Sequence, residues 1–94
     1  MSDPLSELPK HVAQLRALGV SRLSVFGSHA RGTARSDSDV DVLVEFSGSA
    51  TFDRYMELKL LLESSLGRRV DLVTTKAIRP ELKETIEREA IRVA

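Results

Sequence analysis

Apolar side chains at the start of the chain recur at helical spacing, and those that follow alternate as in a strand. The first stretch predicts one amphipathic helix that ends at Gly19. Its apolar face is formed by Leu5, Leu8, Val12, Leu15 and Leu18. Residues 22–26 (RLSVF) then alternate polar and apolar and predict a short strand that runs into a tight turn at Gly27. The next dozen residues predict a short helical turn at most.

The second half of the chain predicts two strands and two helices. Residues 40–46 give the clearest strand, because every second side chain is apolar and falls on one face. Residues 52–66 show helical spacing that stops at Gly67, and residues 70–74 (VDLVT) predict a third strand. Pro80 suits the first turn of a last helix. The apolar face of that helix is predicted to comprise Leu82, Ile86, Ala90 and Val93.

This order of elements predicts an α/β fold with helices packed on a three-stranded sheet. We expect a single domain spanning residues 1–94, since a chain this short can bury one core only. The pattern leaves the strand directions open, because the link from Gly27 to Ser38 is close to the minimum length for a parallel crossover.

Composition narrows the classes of partner and site. The 14 basic and 14 acidic residues cancel, and aromatic residues are few, so direct nucleic-acid binding is not expected. The absence of cysteine excludes disulfides and thiolate metal sites. No apolar run resembles a signal peptide or is long enough to cross a bilayer. A cytoplasmic protein without a membrane segment is therefore expected.

Acidic residues in the second strand raise the first question of chemistry. Asp39 and Asp41 lie two apart on the strand, so they share a face while Val40 and Val42 point into the core. Paired carboxylates on a rigid strand form the hard oxygen site that Mg²⁺ takes, completed by substrate phosphates. Asp37 has the same parity but lacks an anchoring apolar neighbour. The alternative is that these acids are the solvated face of a half-buried strand.

The turn before these acids could bind phosphate. Gly27 has no Cβ and would allow close approach to the backbone, and Ser28 offers a hydroxyl and an N–H group. Arg31 and Arg35 lie between the turn and the acids, where guanidinium groups could meet a triphosphate. An ordinary turn and two solvated loop charges are the alternative.

A further acid interrupts the apolar third strand. Asp71 stands among valines and a leucine, and a charge in such a place requires a partner. Such an acid counts against the view that all the carboxylates are solvated surface charges. Alternatively, Asp71 is exposed or forms an ion pair with Arg68 or Arg69.

Taken together, these short motifs resemble the signature of the minimal nucleotidyltransferase (MNT) domains of the DNA polymerase β-like superfamily. The resemblance covers nearly the whole chain, and its motifs are residues 27–28 (GS), 30–32 (ARG), 38–42 (SDVDV) and 70–73 (VDLV). The tail, residues 76–90, also resembles the closing helix of this family. The resemblance implies a mixed sheet of the polymerase β palm type.

The resemblance also implies roles for individual residues. The nucleotide triphosphate of ATP would be held by Gly27, Ser28 and Arg31. The catalytic and metal-binding acids would be Asp39, Asp41 and Asp71, with Mg²⁺ or Mn²⁺ as the ion. Similar sequences often have arginine where this chain has His29, so the contribution of that position to phosphate binding stays open.

For function, the resemblance implies the antitoxin of a HEPN/MNT, type VII-like toxin–antitoxin pair. Such a protein transfers AMP from ATP to a hydroxyl of its HEPN toxin and forms a hetero-oligomer with it. Two alternatives stay open, namely transfer to a small molecule with the help of a second subunit, and a non-catalytic antitoxin that acts by covering the toxin. The sequence does not give the acceptor residue or the number of nucleotides transferred.

Overall fold

A four-stranded sheet in the order β3-β2-β1-β4 organises the fold. The computed structural model describes residues 3–35 and 37–94, so Met1, Ser2 and Ser36 of the predicted domain lie outside the described residues. The strands are β1 (Val20–Phe26), β2 (Val40–Phe46), β3 (Val70–Thr74) and β4 (Ile91–Arg92). The α-helices are α1 (Pro4–Glu7), α2 (Val12–Ala17), α3 (Ser28–Arg31), α4 (Phe52–Leu66) and α5 (Pro80–Glu89). Short 3₁₀ helices cover Leu8–His11 and Thr75–Ala77.

The sheet is mixed, as the resemblance implied. Strand β1 pairs antiparallel with β2, and β2 pairs parallel with β3. The link between β1 and β2 thus returns the chain in the opposite direction, whereas α4 supplies the crossover that a parallel pair requires.

The prediction of three strands is wrong, because the end of the chain forms a fourth. The last helix stops at Glu89, and Ala90 already has extended backbone angles (φ −66°, ψ 135°). Strand β4 then pairs antiparallel with β1, and the Val93 N–H donates to the Leu23 carbonyl at 2.8 Å. The apolar spacing placed Val93 on a helix, but β1 would otherwise present an unpaired edge. Pairing to that edge decides the local structure.

The predicted first helix is also divided. Helix α1, a 3₁₀ turn and helix α2 replace it, since Pro9 has no N–H to donate within a continuous helix. The apolar spacing nevertheless selects the right face, because Leu8 and Leu15 are fully buried. Val12 is the exception, with 36 % of its surface exposed.

One face of the sheet packs into the core against α4 and the N-terminal helices. Val40, Val42 and Val44 are all fully buried there, which confirms the predicted inward face of β2. The Tyr55 hydroxyl donates to the Leu72 carbonyl at 2.6 Å and fastens α4 to β3. The opposite face of β2 carries Asp41, and Asp39 precedes the strand with the same parity. In the part of the chain that the structure describes, no helix is both long and apolar enough to cross a membrane.

Candidate active site

Two of the predicted acids meet on the face of the sheet that points away from the core. Asp41 of β2 and Asp71 of β3 are direct partners in the parallel register. Neighbouring strands lie about 5 Å apart, so the two side chains stand next to each other. Asp39 lies two residues upstream with the same parity, just before β2 begins, and it is exposed. Parity along β2 and the register of β2 with β3 thus place all three carboxylates on one surface.

Gly27 borders this surface because β1 ends beside the start of β2. Its predecessor Phe26 is the register partner of Asp41. Gly27 has φ 72° and ψ −149°, a backbone conformation that is essentially restricted to glycine. A Cβ at this position would overlap the Asp41 carboxylate. The sequence suggested that glycine leaves room for a phosphate. The structure adds that the space is needed by the catalytic candidate itself.

Helix α3 begins directly after this glycine. The Gly27 carbonyl accepts the N–H groups of Ala30 and Arg31, both at 3.1 Å. The N–H groups of Ser28 and His29 have no such acceptor among the described residues. Two donors and the Ser28 hydroxyl therefore lie at the end of β1, next to Asp41. This arrangement is able to hold an oxyanion.

The charges at the site are unbalanced towards the negative. Burial raises the pKa of Asp41 above its usual value, and the carboxylates of Asp71 and Asp39 raise it further. His29 and Arg31 oppose this rise. None of the three acids has a basic side chain within 4.0 Å among the described residues. The ion pair between Asp71 and Arg68 or Arg69, which the sequence left open, is therefore not formed.

Arg31 lies within electrostatic range of Asp41 but is held by another residue. Its guanidinium contacts the Glu89 carboxylate of α5 at 3.2 Å, and both side chains are partly exposed. No local pattern pointed to Glu89, because it lies 58 positions after Arg31 in the chain. The pair holds Arg31 against α5, and its charge still opposes the rise in the pKa of Asp41.

The remaining polar residues of the loop lie farther from the acid pair. The Arg35 N–H donates to the Ser38 hydroxyl at 2.8 Å and closes a turn, and Asp37 is exposed. His29 Nε2 lies 3.4 Å from the Ser38 carbonyl and 3.5 Å from the Arg68 guanidinium. These contacts give His29 a place in holding the loop.

The acids fit Mg²⁺ only in combination with a ligand. Within residues 3–35 and 37–94, no three acidic or imidazole side chains converge closely enough to form a complete metal cage. Magnesium does not require such a cage, since proteins commonly bind it through one or two carboxylates together with substrate phosphates. Asp41 and Asp71, which have no basic partner within 4.0 Å among the described residues, supply this type of donor set. A metal bound with a nucleotide is consistent with the residues present.

Comparison with known proteins gives one family. The family model of the nucleotidyltransferase domain matches residues 5–93, which is nearly the whole chain. The protein adenylyltransferase MntA of Thermococcus cleftensis is 42 % identical over 89 residues, covering 94 % of this chain and 90 % of that protein.

Solved structures agree with the sequence comparison. A structure assigned as a minimal nucleotidyltransferase superimposes with a TM-score of 0.81 at 44 % identity, covering 89 % of this chain and 86 % of the other. A crystal structure of a toxin–antitoxin with AMP-PNP gives a TM-score of 0.76 at 25 % identity, covering 93 % of this chain and 72 % of that one. With such coverage, both likenesses extend over most of the fold.

Proposed function

The chain belongs to the nucleotidyltransferase domain family, and we propose that it is a magnesium-dependent protein adenylyltransferase that modifies and thereby neutralises a HEPN toxin. The observation that carries this proposal is the pair Asp41 and Asp71, adjacent across two strands beside Gly27 and without a cationic partner among the described residues. Uncompensated carboxylates next to free backbone donors suit a metal–triphosphate complex better than they suit a structural role.

Each residue has a distinct task in the proposed reaction. The N–H groups and hydroxyl of the Gly27–Ser28 turn bind the triphosphate, and Arg31 contacts it from the rim. Asp39 and Asp41 would hold Mg²⁺, with Asp71 as the third carboxylate. When bound, the ion neutralises phosphate charge and stabilises the attacking and leaving oxygens.

The bond changes follow an in-line displacement. The acceptor hydroxyl oxygen forms a bond to the α-phosphorus as the bond from that phosphorus to the bridging oxygen breaks. Pyrophosphate leaves, and AMP remains on the acceptor. A carboxylate oxygen of Asp71 accepts the proton of the hydroxyl, because β3 places it on the far side of Asp41 from the phosphate-binding turn.

A protein acceptor is favoured by the relatives. The relative from Thermococcus cleftensis is named for protein adenylylation, and the structure with AMP-PNP is a toxin–antitoxin. The HEPN class of the toxin follows from the family resemblance. We expect the two proteins to form a hetero-oligomer in the cytoplasm, without direct contact to nucleic acid.

The test is incubation with purified toxin and ATP labelled on the α-phosphate. We expect label on the toxin that requires Mg²⁺ or Mn²⁺ and is absent with ATP labelled on the γ-phosphate. Label on a small molecule from a lysate, with none on the toxin, would identify the small-molecule enzyme instead. If the double variant Asp39→Asn, Asp41→Asn neutralised the toxin as well as the wild type, the protein would act by binding alone.

A further inference from the structure

A cleft continues the acidic face of the sheet towards β4. It has a volume of about 280 Å³, and its lining includes Leu43 and Ser24 of the sheet. Ala90, at the end of α5, also lines the cleft. Leu43 is the next residue after Asp41 on the same face of β2, so the cleft begins about 7 Å from the catalytic candidate.

Four charged side chains surround this cleft without neutralising one another. They are Arg22, Glu45, Glu87 and Arg92. None of them forms an ion pair within 4.0 Å in the part of the chain that the structure describes. Leu43 and Ala90 add apolar surface to these polar groups, and sites for small organic ligands combine apolar surface with a few hydrogen-bonding groups.

The order of the strands indicates which part of the substrate points into this cleft. The phosphate-binding turn ends β1, Asp41 lies on β2 and Asp71 on β3, so the axis from leaving group to acceptor runs across the strands. In an in-line displacement, the attacking and leaving oxygens lie on that axis and the other three oxygens are equatorial. The 5′-oxygen of the nucleoside is one of these three. The nucleoside therefore extends away from the axis, and the directions that keep it over the sheet run along the strands.

Among the described residues, the two directions along the strands differ in the apolar surface that they offer. Towards the start of β2, a second cleft of about 290 Å³ has Asp37, Asp39, Arg68 and Arg69 among its described lining residues, and no apolar side chain. A purine needs an apolar face to lie against. The cleft above Leu43 provides one, and the carboxylates there can accept hydrogen bonds from an exocyclic amino group.

We infer that the cleft between α5 and the sheet binds the adenosine part of ATP, with Leu43 beneath the base and Glu87 as a hydrogen-bond acceptor at its rim. This inference rests on the proposed function. It assigns to α5 a role in nucleotide binding, and it explains why the end of this helix is held close to the site by the contact of Glu89 with Arg31.

Calorimetric titration with two probes, Mg²⁺–ATP and Mg²⁺–tripolyphosphate, tests the inference without any acceptor. Tripolyphosphate reports the phosphate and metal site alone. Ala90→Phe fills the cleft, and Glu87→Gln removes one carboxylate acceptor from an exposed position. Glu84→Gln is the matched control, because Glu84 lies on the same helix, is also exposed and does not line the cleft.

We expect wild-type protein to bind ATP more tightly than tripolyphosphate, and Ala90→Phe to abolish that difference while it keeps its affinity for tripolyphosphate. Glu87→Gln should lose up to about tenfold in ATP affinity, as expected for a hydrogen bond to a charged group, and Glu84→Gln should lose none.

Unchanged ATP affinity in Ala90→Phe would overturn the inference. A loss of transfer to the toxin with ATP affinity intact would also overturn it, because the cleft would then be an acceptor site. If the wild type bound tripolyphosphate as tightly as ATP, only the inference would fail. If it bound neither, the proposed function would fall with it.

Discussion

Replacing Gly27 with alanine tests the geometry of the site through the stability of the fold. The new Cβ would overlap the Asp41 carboxylate, and φ 72° with ψ −149° is a conformation that alanine rarely adopts. The backbone strain costs about 1–3 kcal/mol, and relief of the overlap costs a similar amount, so we expect a loss of roughly 2–6 kcal/mol in the free energy of unfolding. For a chain of this size, such a loss lowers the Tm by at least about 8 °C.

Urea and thermal unfolding would measure the effect, with Gly67→Ala as the control. Gly67 also has a positive φ (64°), but its ψ of 28° places it in the ordinary left-handed region, and a Cβ there would meet no atom within 4 Å. Its loss should be about 1–2 kcal/mol. Asp41→Ala removes the overlapping carboxyl, so adding it to Gly27→Ala should recover at least about 1 kcal/mol. The described contact would be refuted if the two glycine variants lost the same free energy of unfolding and the effects of Gly27→Ala and Asp41→Ala were simply additive.

Three further predictions concern single side chains. The pKa of Asp41 is raised in the folded state, so ionisation of this carboxyl destabilises the protein as the pH rises. Asp41→Asn should therefore have a higher Tm than the wild type at pH 7, and the difference should disappear near pH 3. A constant difference in Tm across this pH range would contradict the assignment. Tyr55→Phe loses the 2.6 Å hydrogen bond to the Leu72 carbonyl and should lower the free energy of unfolding, measured by urea denaturation, by about 1 kcal/mol. An unchanged free energy of unfolding would mean that this hydrogen bond does not stabilise the fold. Ser28→Ala removes one hydroxyl from the phosphate-binding turn and should weaken Mg²⁺–ATP binding about tenfold at most, and a complete loss in calorimetry would show that the turn itself has changed.

Local alternation and spacing were sufficient to predict the face of the sheet on which the acids lie. The valines of β2 fix the inward side, and parity then places Asp39 and Asp41 together on the other. The adjacency of Asp41 and Asp71 depends on the parallel register of β2 and β3, which the spacing of residues does not encode. Only the family resemblance pointed to it.

Contacts between distant parts of the chain could not be predicted in the same way. Strand β4 exists because β1 offers a free edge, although the apolar residues near the end also fit a helix. The contact between Glu89 and Arg31 joins α5 to α3, and no local pattern indicates it. The sequence predicted that Gly27 leaves room for a phosphate, whereas the folded arrangement shows that a Cβ at this position would also overlap the Asp41 side chain.

The most direct test of the proposed site compares ATP affinity and AMP transfer in the same variants, with purified toxin as the acceptor. Asp39→Asn with Asp41→Asn should lose both, because these acids are proposed to hold the metal and nucleotide. Asp71→Asn should still bind Mg²⁺–ATP detectably but lose most of its transfer rate at saturating ATP, as expected for a group that acts chiefly in the transition state. Full transfer by Asp71→Asn would show that Asp71 has a structural role only, and normal transfer by the double variant would contradict the assignment of the active site.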